Sequence, residues 1–199
     1  MFDCIFLLMV KKVLKQKKKE QKVIETVVIP SGINFSLEGN MIRAKKDNQI
    51  LNVRVPREVI IKIEGDKIEM TAIRGRKAER REVGTMLAHI NNMIEGLEKG
   101  FEYELEICNV HFPITVLYDK TKKQFAIKNL LGEKNPRLIN SFGDVEVEIK
   151  APKIKIKSYD ITAGGQTAAN LEKITHIKNR DRNKFQDGIF ITKKPGVEY

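Results

Sequence analysis

From Val27 onward, apolar and polar residues alternate in short runs separated by turn residues. Ile33, Phe35 and Leu37 recur at every second position, Gly39 and Asn40 follow, and Met41 resumes the pattern, which predicts a hairpin. A further alternation runs from Ile50 to Val55, and another sets Val59, Ile61 and Ile63 against Ile68 and Met70 across a Gly65-Asp66 turn. Alternate side chains on a strand share a face, so these runs predict antiparallel strands with one face in a core. After Gly75 the period lengthens to about 3.5, with Val83, Leu87, Ile90, Ile94 and Leu97 on one stripe. The stripe predicts an amphipathic helix from near Lys77 to a stop at Gly100, just after Lys99.

The second half repeats this plan. Strands are predicted within 101–118 and over 124–129, followed by a loop with Gly132, Asn135 and Pro136. Val59, Ile61, Ile63, Ile68 and Met70 match Val145, Val147, Ile149, Ile154 and Ile156 without a gap, at a constant offset of 86 (145 minus 59). Gly65-Asp66 falls opposite Ala151-Pro152. Each hairpin leads through a loop to a helix, the second predicted from Thr167 to Lys178 with Ala168, Leu171 and Ile174 facing inward. The expected fold class is therefore α+β, with two similar domains, each an antiparallel sheet packed with a helix, related by internal duplication. Expected divisions are a basic N-terminal extension (1–23), a first domain (24–99), a second domain (100–194) and a C-terminal tail (195–199).

Composition fixes the class of partner more than the class of fold. The 199 residues are 41% hydrophobic and 32% charged, which excludes a disordered polyelectrolyte and suits a packed core under a charged surface. Lysine and arginine exceed the acids 37 to 26, a formal charge of +11, so a polyanion is expected: a phosphate backbone or an anionic membrane. Cys4 and Cys108 are distant from each other and have no metal-ligand spacing, which points to a reducing, cytoplasmic setting and an inert Cys108 thiol. Phe2 to Val10 is apolar and is followed by Lys11, Lys12 and the run Lys15 to Glu20. It is shorter than the roughly 20 residues of a membrane-spanning helix, and its charges follow rather than precede the apolar run. It reads as an extension outside the core, with an interfacial anchor as the alternative; a start at Met9 would leave only a basic arm.

Candidate chemistry is sparse. His89, His111 and His176 have no ligand spacing, and neither a nucleophile with its base nor a carboxylate pair emerges, so no catalytic residue, metal, cofactor or small-molecule substrate is expected. His89 reads as a packing or hydrogen-bonding residue between Ala88 and Ile90. Gly164-Gly165 before a helix reads either as a tight turn or as a cradle of backbone N–H groups for a phosphate, together with Gln166. Lys153, Lys155 and Lys157 alternate with Ile154 and Ile156, which places lysine on one strand face: a solvated or aggregation-resistant face, or an RNA-facing one. Lys178, Arg180, Arg182 and Lys184 form a second basic cluster. Phe185 reads as core, because Ile189 and Ile191 continue an apolar pattern, with base stacking as the alternative.

Particular strings then become recognisable. GTMLAHINNMIEG from Gly84 resembles the central helix of the ribosomal protein six family of the large subunit, numbered nine in eukaryotes. The resemblance continues through GFEYELEI from Gly100, HFP at His111, NLLGEKNPR from Asn129, GGQTAANLE from Gly164 and FQDGIFI from Phe185, covering nearly everything after Val27. The GQTAAN form is similar to the archaeal type. The resemblance implies two duplicated α+β domains, a place near the stalk base and the sarcin-ricin region, and large-subunit rRNA contact mainly through the second domain. It also implies neighbouring ribosomal proteins and passing translation factors as partners, with no membrane. The family's RNA-facing loop resembles Gly132 to Arg137, with Lys134 and Arg137 as its cations, and its C-terminal RNA-binding segment resembles Arg180 to Gly188. Two departures stand out: Lys45-Lys46-Asp47-Asn48 replaces the family's glycine-proline-lysine-glycine type turn, and Asn183 stands where an arginine is usual. Arg182 or Lys184 must then supply the charge. The rival readings are an RNA-processing enzyme with a basic face and a membrane-surface protein anchored by Phe2 to Lys19.

Overall fold

A computed structural model describes residues 24–73, 75–181 and 184–198. The N-terminal extension, with Cys4 and the run Lys15 to Glu20, and both Arg182 and Asn183 lie outside the described residues. The chain divides into two compact units, 1–94 and 95–199.

In the first unit the alternating runs become strands β1 (Ile24–Val28), β2 (Asn34–Glu38), β3 (Met41–Lys46), β4 (Gln49–Arg54), β5 (Val59–Glu64) and β6 (Lys67–Ala72). The meander β2-β3-β4 forms one antiparallel sheet, and β1-β6-β5 forms another. Gly65 turns the β5–β6 hairpin at a positive φ of 57°, where a side chain is strained, and Ile63 pairs with Ile68 beside it. Alternation puts Val59 and Ile61 of β5 and Ile68, Met70 and Ala72 of β6 into the core. Helix α1 (Lys77–Lys99) follows and crosses the division between the units. Its buried stripe is Val83, Met86, Ile90, Met93 and Leu97. The expected stripe contained Leu87 and Ile94, which are only half-buried. The stripe is centred one position earlier in each of those turns, where unbranched Met86 and Met93 fill the contact instead.

The second unit runs in the same order: β7 (Phe101–Cys108), β8 (Thr115–Asp119), β9 (Gln124–Lys128), a 3-10 turn (Leu130–Gly132), β10 (Arg137–Asn140), β11 (Glu146–Lys150), β12 (Lys153–Ser158) and helix α2 (Ile161–Thr175). β8, β9 and β10 make a meander, and β7-β12-β11 repeats the pairing order of β1-β6-β5. Ile149 pairs with Ile154 and Val147 with Ile156, as Ile63 pairs with Ile68 and Ile61 with Met70. The offset of 86 thus holds in strand register. The second unit adds β13 (Gly188–Lys194) on the free side of β7 and β14 (Val197–Glu198) beyond it, so the expected tail carries a strand.

Helix α2 lies on β7, β12 and β13, with Ala168 and Leu171 fully buried against a core that includes Leu105, Phe125, Ile154, Ile156 and Ile189. Its limits differ from the expected 167–178. The Asp160 carboxylate caps the start by accepting from the Thr162 amide at 2.8 Å, and the helix ends at Thr175 with His176 as its C-cap. Capping by Asp160 outweighs the low helix propensity of the two glycines, so Gly164, Gly165 and Gln166 lie inside the helix.

Candidate nucleic-acid interface

The glycine pair does not form a phosphate cradle. The Gly164 amide already donates to the Asp160 carbonyl at 3.0 Å, within the helix. Both glycines instead admit the Tyr103 ring: a Cβ on Gly164 would stand 2.7 Å from its Cε2, and one on Gly165 3.0 Å from its hydroxyl oxygen. That hydroxyl donates to the Ile161 carbonyl at 3.0 Å. Gln166 is exposed, and its side-chain amide donates to Asn170 at 2.8 Å.

The lysines of β12 stand on the face opposite buried Ile154 and Ile156, but they do not form a free cationic row. β7 places Glu102, Glu104 and Glu106 on one side, and β11 places Glu146 and Glu148 on the other. Lys155 Nζ lies 3.0 Å from Glu104 and 3.5 Å from Glu102, and Lys157 Nζ lies 3.8 Å from Glu102. The third of these contacts belongs to the same network. The hydrogen bond from Lys155 holds the Glu104 carboxyl below its usual range, and the same bond raises the Lys155 ammonium. Cross-strand pairing of this kind orders the sheet and consumes the charge that a polyanion would need.

Arg137 is also engaged. Its Nε donates to Glu133 at 2.8 Å and an Nη to the same carboxylate at 2.5 Å, while the other Nη bonds the Ile174 carbonyl at the end of α2. Donation from Arg137 lowers the Glu133 carboxyl. The fork therefore ties the loop before β10 to the C-terminal turn of α2. Left-handed backbone at Asn129 and Leu131 tightens that loop, and Asn129 Nδ2 donates to the Pro113 carbonyl at 3.0 Å.

This tie brings Lys134 to the end of the unit from which the basic C-terminal segment leaves α2. Lys134, Lys178, Arg180 and Lys184 are all exposed there, and among the described residues none of them takes part in an ion pair with a carboxylate. Arg182 lies outside the described residues. The segment is held from beneath by Asp187, whose side chain is fully buried. One carboxylate oxygen accepts from the Val110 amide at 2.7 Å and the His111 amide at 2.9 Å, and the other is 2.6 Å from His111 Nδ1. Burial alone would raise this carboxyl, but the bonds from His111 and Val110 outweigh it and hold the group below its ordinary range. The His111 ring in turn stacks on Phe185, with centroids 4.9 Å apart and an interplanar angle of 21°. The Arg180 guanidinium lies 5.1 Å from the centre of the same Phe185 ring.

Phe185 is thus half-buried between a histidine and an arginine, which corrects its reading as a core residue. The Asp187–His111–Phe185–Arg180 chain was not legible in the sequence, because His111 and Asp187 lie 76 positions apart and only β13 pairing with β7 unites them. A cleft of about 260 Å³ opens between this segment and the last two turns of α2. Cys108 is half-buried and its thiol is raised by burial and by Glu106 and Asp187, so it is a poor thiolate. Among the described residues no cluster of three or more metal-ligating side chains forms. No described helix is long and apolar enough to cross a membrane.

Proteins named large ribosomal subunit protein uL6 align with almost the whole folded part of the chain. That of Methanothrix thermoacetophila is 38% identical over 176 residues, covering 87% of this chain and 98% of its own length. The chain belongs to the uL6 family. The Archaeoglobus fulgidus relative is 37% identical over 182 residues, covering 88% of this chain and 90% of its own. The Aeropyrum pernix relative is 35% identical over 175 residues, covering 87% and 95%. No family model matches the chain. These archaeal relatives are named as large-subunit ribosomal proteins, as GTMLAHINNMIEG and GQTAAN led one to expect.

Proposed function

We propose that the chain is a structural constituent of the large ribosomal subunit, working in the cytoplasm, that binds large-subunit rRNA and supports translation without chemistry of its own. Membership in the uL6 family supports assembly into the subunit. The observation that carries rRNA contact is that Lys134, Lys178, Arg180 and Lys184 are exposed and lie outside the ion pairs of the described residues, with Arg180 set against the Phe185 ring that the Asp187–His111 pair supports. Arg182 extends the same basic string in sequence. Phosphate contacts of this kind position a protein on RNA shape rather than on a base sequence.

The reading places the protein near the stalk base and sarcin-ricin region, beside other large-subunit proteins and within reach of translation factors. It divides the chain into a basic extension (1–23), a first domain (24–99) and a second, rRNA-binding domain (100–194), with 195–199 at its end. The shared strand order and the offset of 86 in register support descent of the two domains from one duplicated unit. Arg137, Gly164, Gly165 and Gln166 contribute by holding the second domain's shape, and Lys153, Lys155 and Lys157 contribute at most a secondary RNA contact, because glutamates flank them.

The test is sedimentation of a cell lysate through sucrose gradients in modest and then high salt, tracking the chain by mass spectrometry. Comigration with the large subunit that survives modest salt is the expected result. A chain that stays at the top of both gradients defeats the proposal.

A further inference from the structure

We propose that Phe112, displayed on the connection between β7 and β8, stacks on one unpaired base of the bound RNA. This inference rests on the rRNA reading above and deepens it, from contact with phosphates to capture of a base at a named ring.

The connection holds apolar side chains outward on a fixed backbone. Val110 is 60% exposed and Phe112 46%. Between and around them, Asp187 accepts from the Val110 and His111 amides and meets the His111 ring. Asn109 Oδ1 accepts from the Ile114 amide at 3.2 Å, and Asn129 Nδ2 donates to the Pro113 carbonyl at 3.0 Å. The backbone is thus bonded on both sides of Phe112. A side chain mounted in this way gives up little freedom when a ligand covers it.

The ring also has a support on one side. Gly132, at a φ of 78°, runs beside it: a Cβ there would stand 3.7, 3.8 and 3.9 Å from Cζ, Cε2 and Cε1. Three nearly equal distances place Gly132 over a face of the ring and not against its edge. Phe185 is covered by His111 and Arg180, whereas Phe112 makes no ring contact among the described residues. Its exposure therefore belongs to the face turned away from Gly132.

Charge decides which partner fits that face. Lys134 follows Gly132 by two residues, and Lys128 stands across from Thr115 at the start of β8. Both lysines are exposed and lie outside the ion pairs of the described residues. The carboxylates bonded into these loops are engaged, Glu133 by Arg137 and Asp187 by the amides and ring of the connection. An open aromatic face with ammonium groups on the adjoining loop and strand suits a base with its phosphates, the usual physics of unpaired RNA recognition. An apolar pocket on a protein would cover the ring but would leave the lysines without a role.

The chain contains no tryptophan, so Phe112→Trp introduces a single indole whose emission a stacked base quenches. The full chain, F112W and F112L are titrated with purified large-subunit rRNA, with thermal melts to establish that all three are folded. F112L keeps an apolar side chain but loses the aromatic face, and its affinity is expected to be about tenfold weaker. F112W is expected to retain the affinity of the unaltered chain, with quenched emission in the complex. Equal affinity of F112L and the unaltered chain overturns the stacking and leaves the rRNA reading intact, as does an unquenched indole in an F112W complex that has formed. F112L that binds rRNA normally but is lost from large subunits in the gradient assigns the ring to a protein neighbour and also overturns the proposal. Absence of rRNA binding by the unaltered chain defeats the rRNA reading itself.

Discussion

His111 Nδ1 lies 2.6 Å from a buried Asp187 oxygen, and the partner oxygen accepts the amides of Val110 and His111. One carboxylate thus fixes both the backbone entering the β7–β8 connection and the ring that supports Phe185. Replacing it by alanine leaves two part-buried amide donors without their acceptor. Asp187→Ala is expected to destabilise the second unit by about 2–3 kcal/mol, read from urea denaturation.

The same carboxylate gives the acid limb of stability a definite sign. Its folded pKa is depressed, so its contribution is fully present above the unfolded value of roughly 3.9 and is lost as pH falls through the lower folded value. As pH falls below about 4 the unaltered chain should therefore lose stability more steeply than Asp187→Asn. Denaturation midpoints measured across that range check this, and parallel curves would show that Asp187 is not the group responsible.

Three helical glycines should answer differently to alanine. A Cβ on Gly96 would lie 2.1 Å from the Tyr159 carbonyl oxygen, and one on Gly164 would lie 2.7 Å from the Tyr103 ring, whereas Gly84 has nothing within 4 Å. Helix propensity alone favours alanine by up to about 1 kcal/mol at each site. Gly84→Ala should gain a stabilisation of that order, but Gly164→Ala should lose about 1–3 kcal/mol to overpacking, and Gly96→Ala more, because a backbone oxygen cannot swing aside. Thermal melts of the three variants settle the order.

Much of the fold was legible because binary pattern and turn residues agree: Ile63, Gly65 and Ile68 specify a hairpin by themselves, and their counterparts 86 positions later do so again. The start of α2 was not legible, because Gly164-Gly165 signals a break while the decisive Asp160 cap and the Tyr103 ring that needs those glycines lie elsewhere in the sequence. The candidate site was half legible. Its cations appear as a string, but whether a lysine is free depends on its neighbours across the sheet, and Glu104 and Glu148 reach Lys155 only through strand register. The brace of Asp187 on His111 is long-range in the same way.

Arg137 is a structural fork, and lysine cannot replace it. A lysine ammonium is a point donor on a flexible stem and cannot satisfy both Glu133 oxygens and the Ile174 carbonyl together. Arg137→Lys is expected to cost about 1–2 kcal/mol and to increase amide exchange in the last turn of α2 and in the 130–136 loop. Unaltered exchange at both places would separate the loop from the helix end.

The two lysine groups of the second unit should be distinguishable by salt. Each phosphate contact contributes roughly 0.7 to 0.9 to the slope of log affinity against log salt concentration. If Lys178, Arg180 and Lys184 meet phosphates, replacing all three by alanine should reduce the magnitude of that slope by about 2 while lowering the melt only slightly, through loss of the Arg180–Phe185 contact, because all three are exposed. Lys155→Met should behave in the opposite way. Its ammonium is bound between Glu102 and Glu104, so its loss disturbs the sheet's own charge pattern and releases no RNA counterion-binding position. The slope should then stay as it was, with a small drop in thermal stability. A reduced slope in Lys155→Met would instead show that the lysine exchanges its glutamates for phosphate on binding, and that the β12 face belongs to the interface.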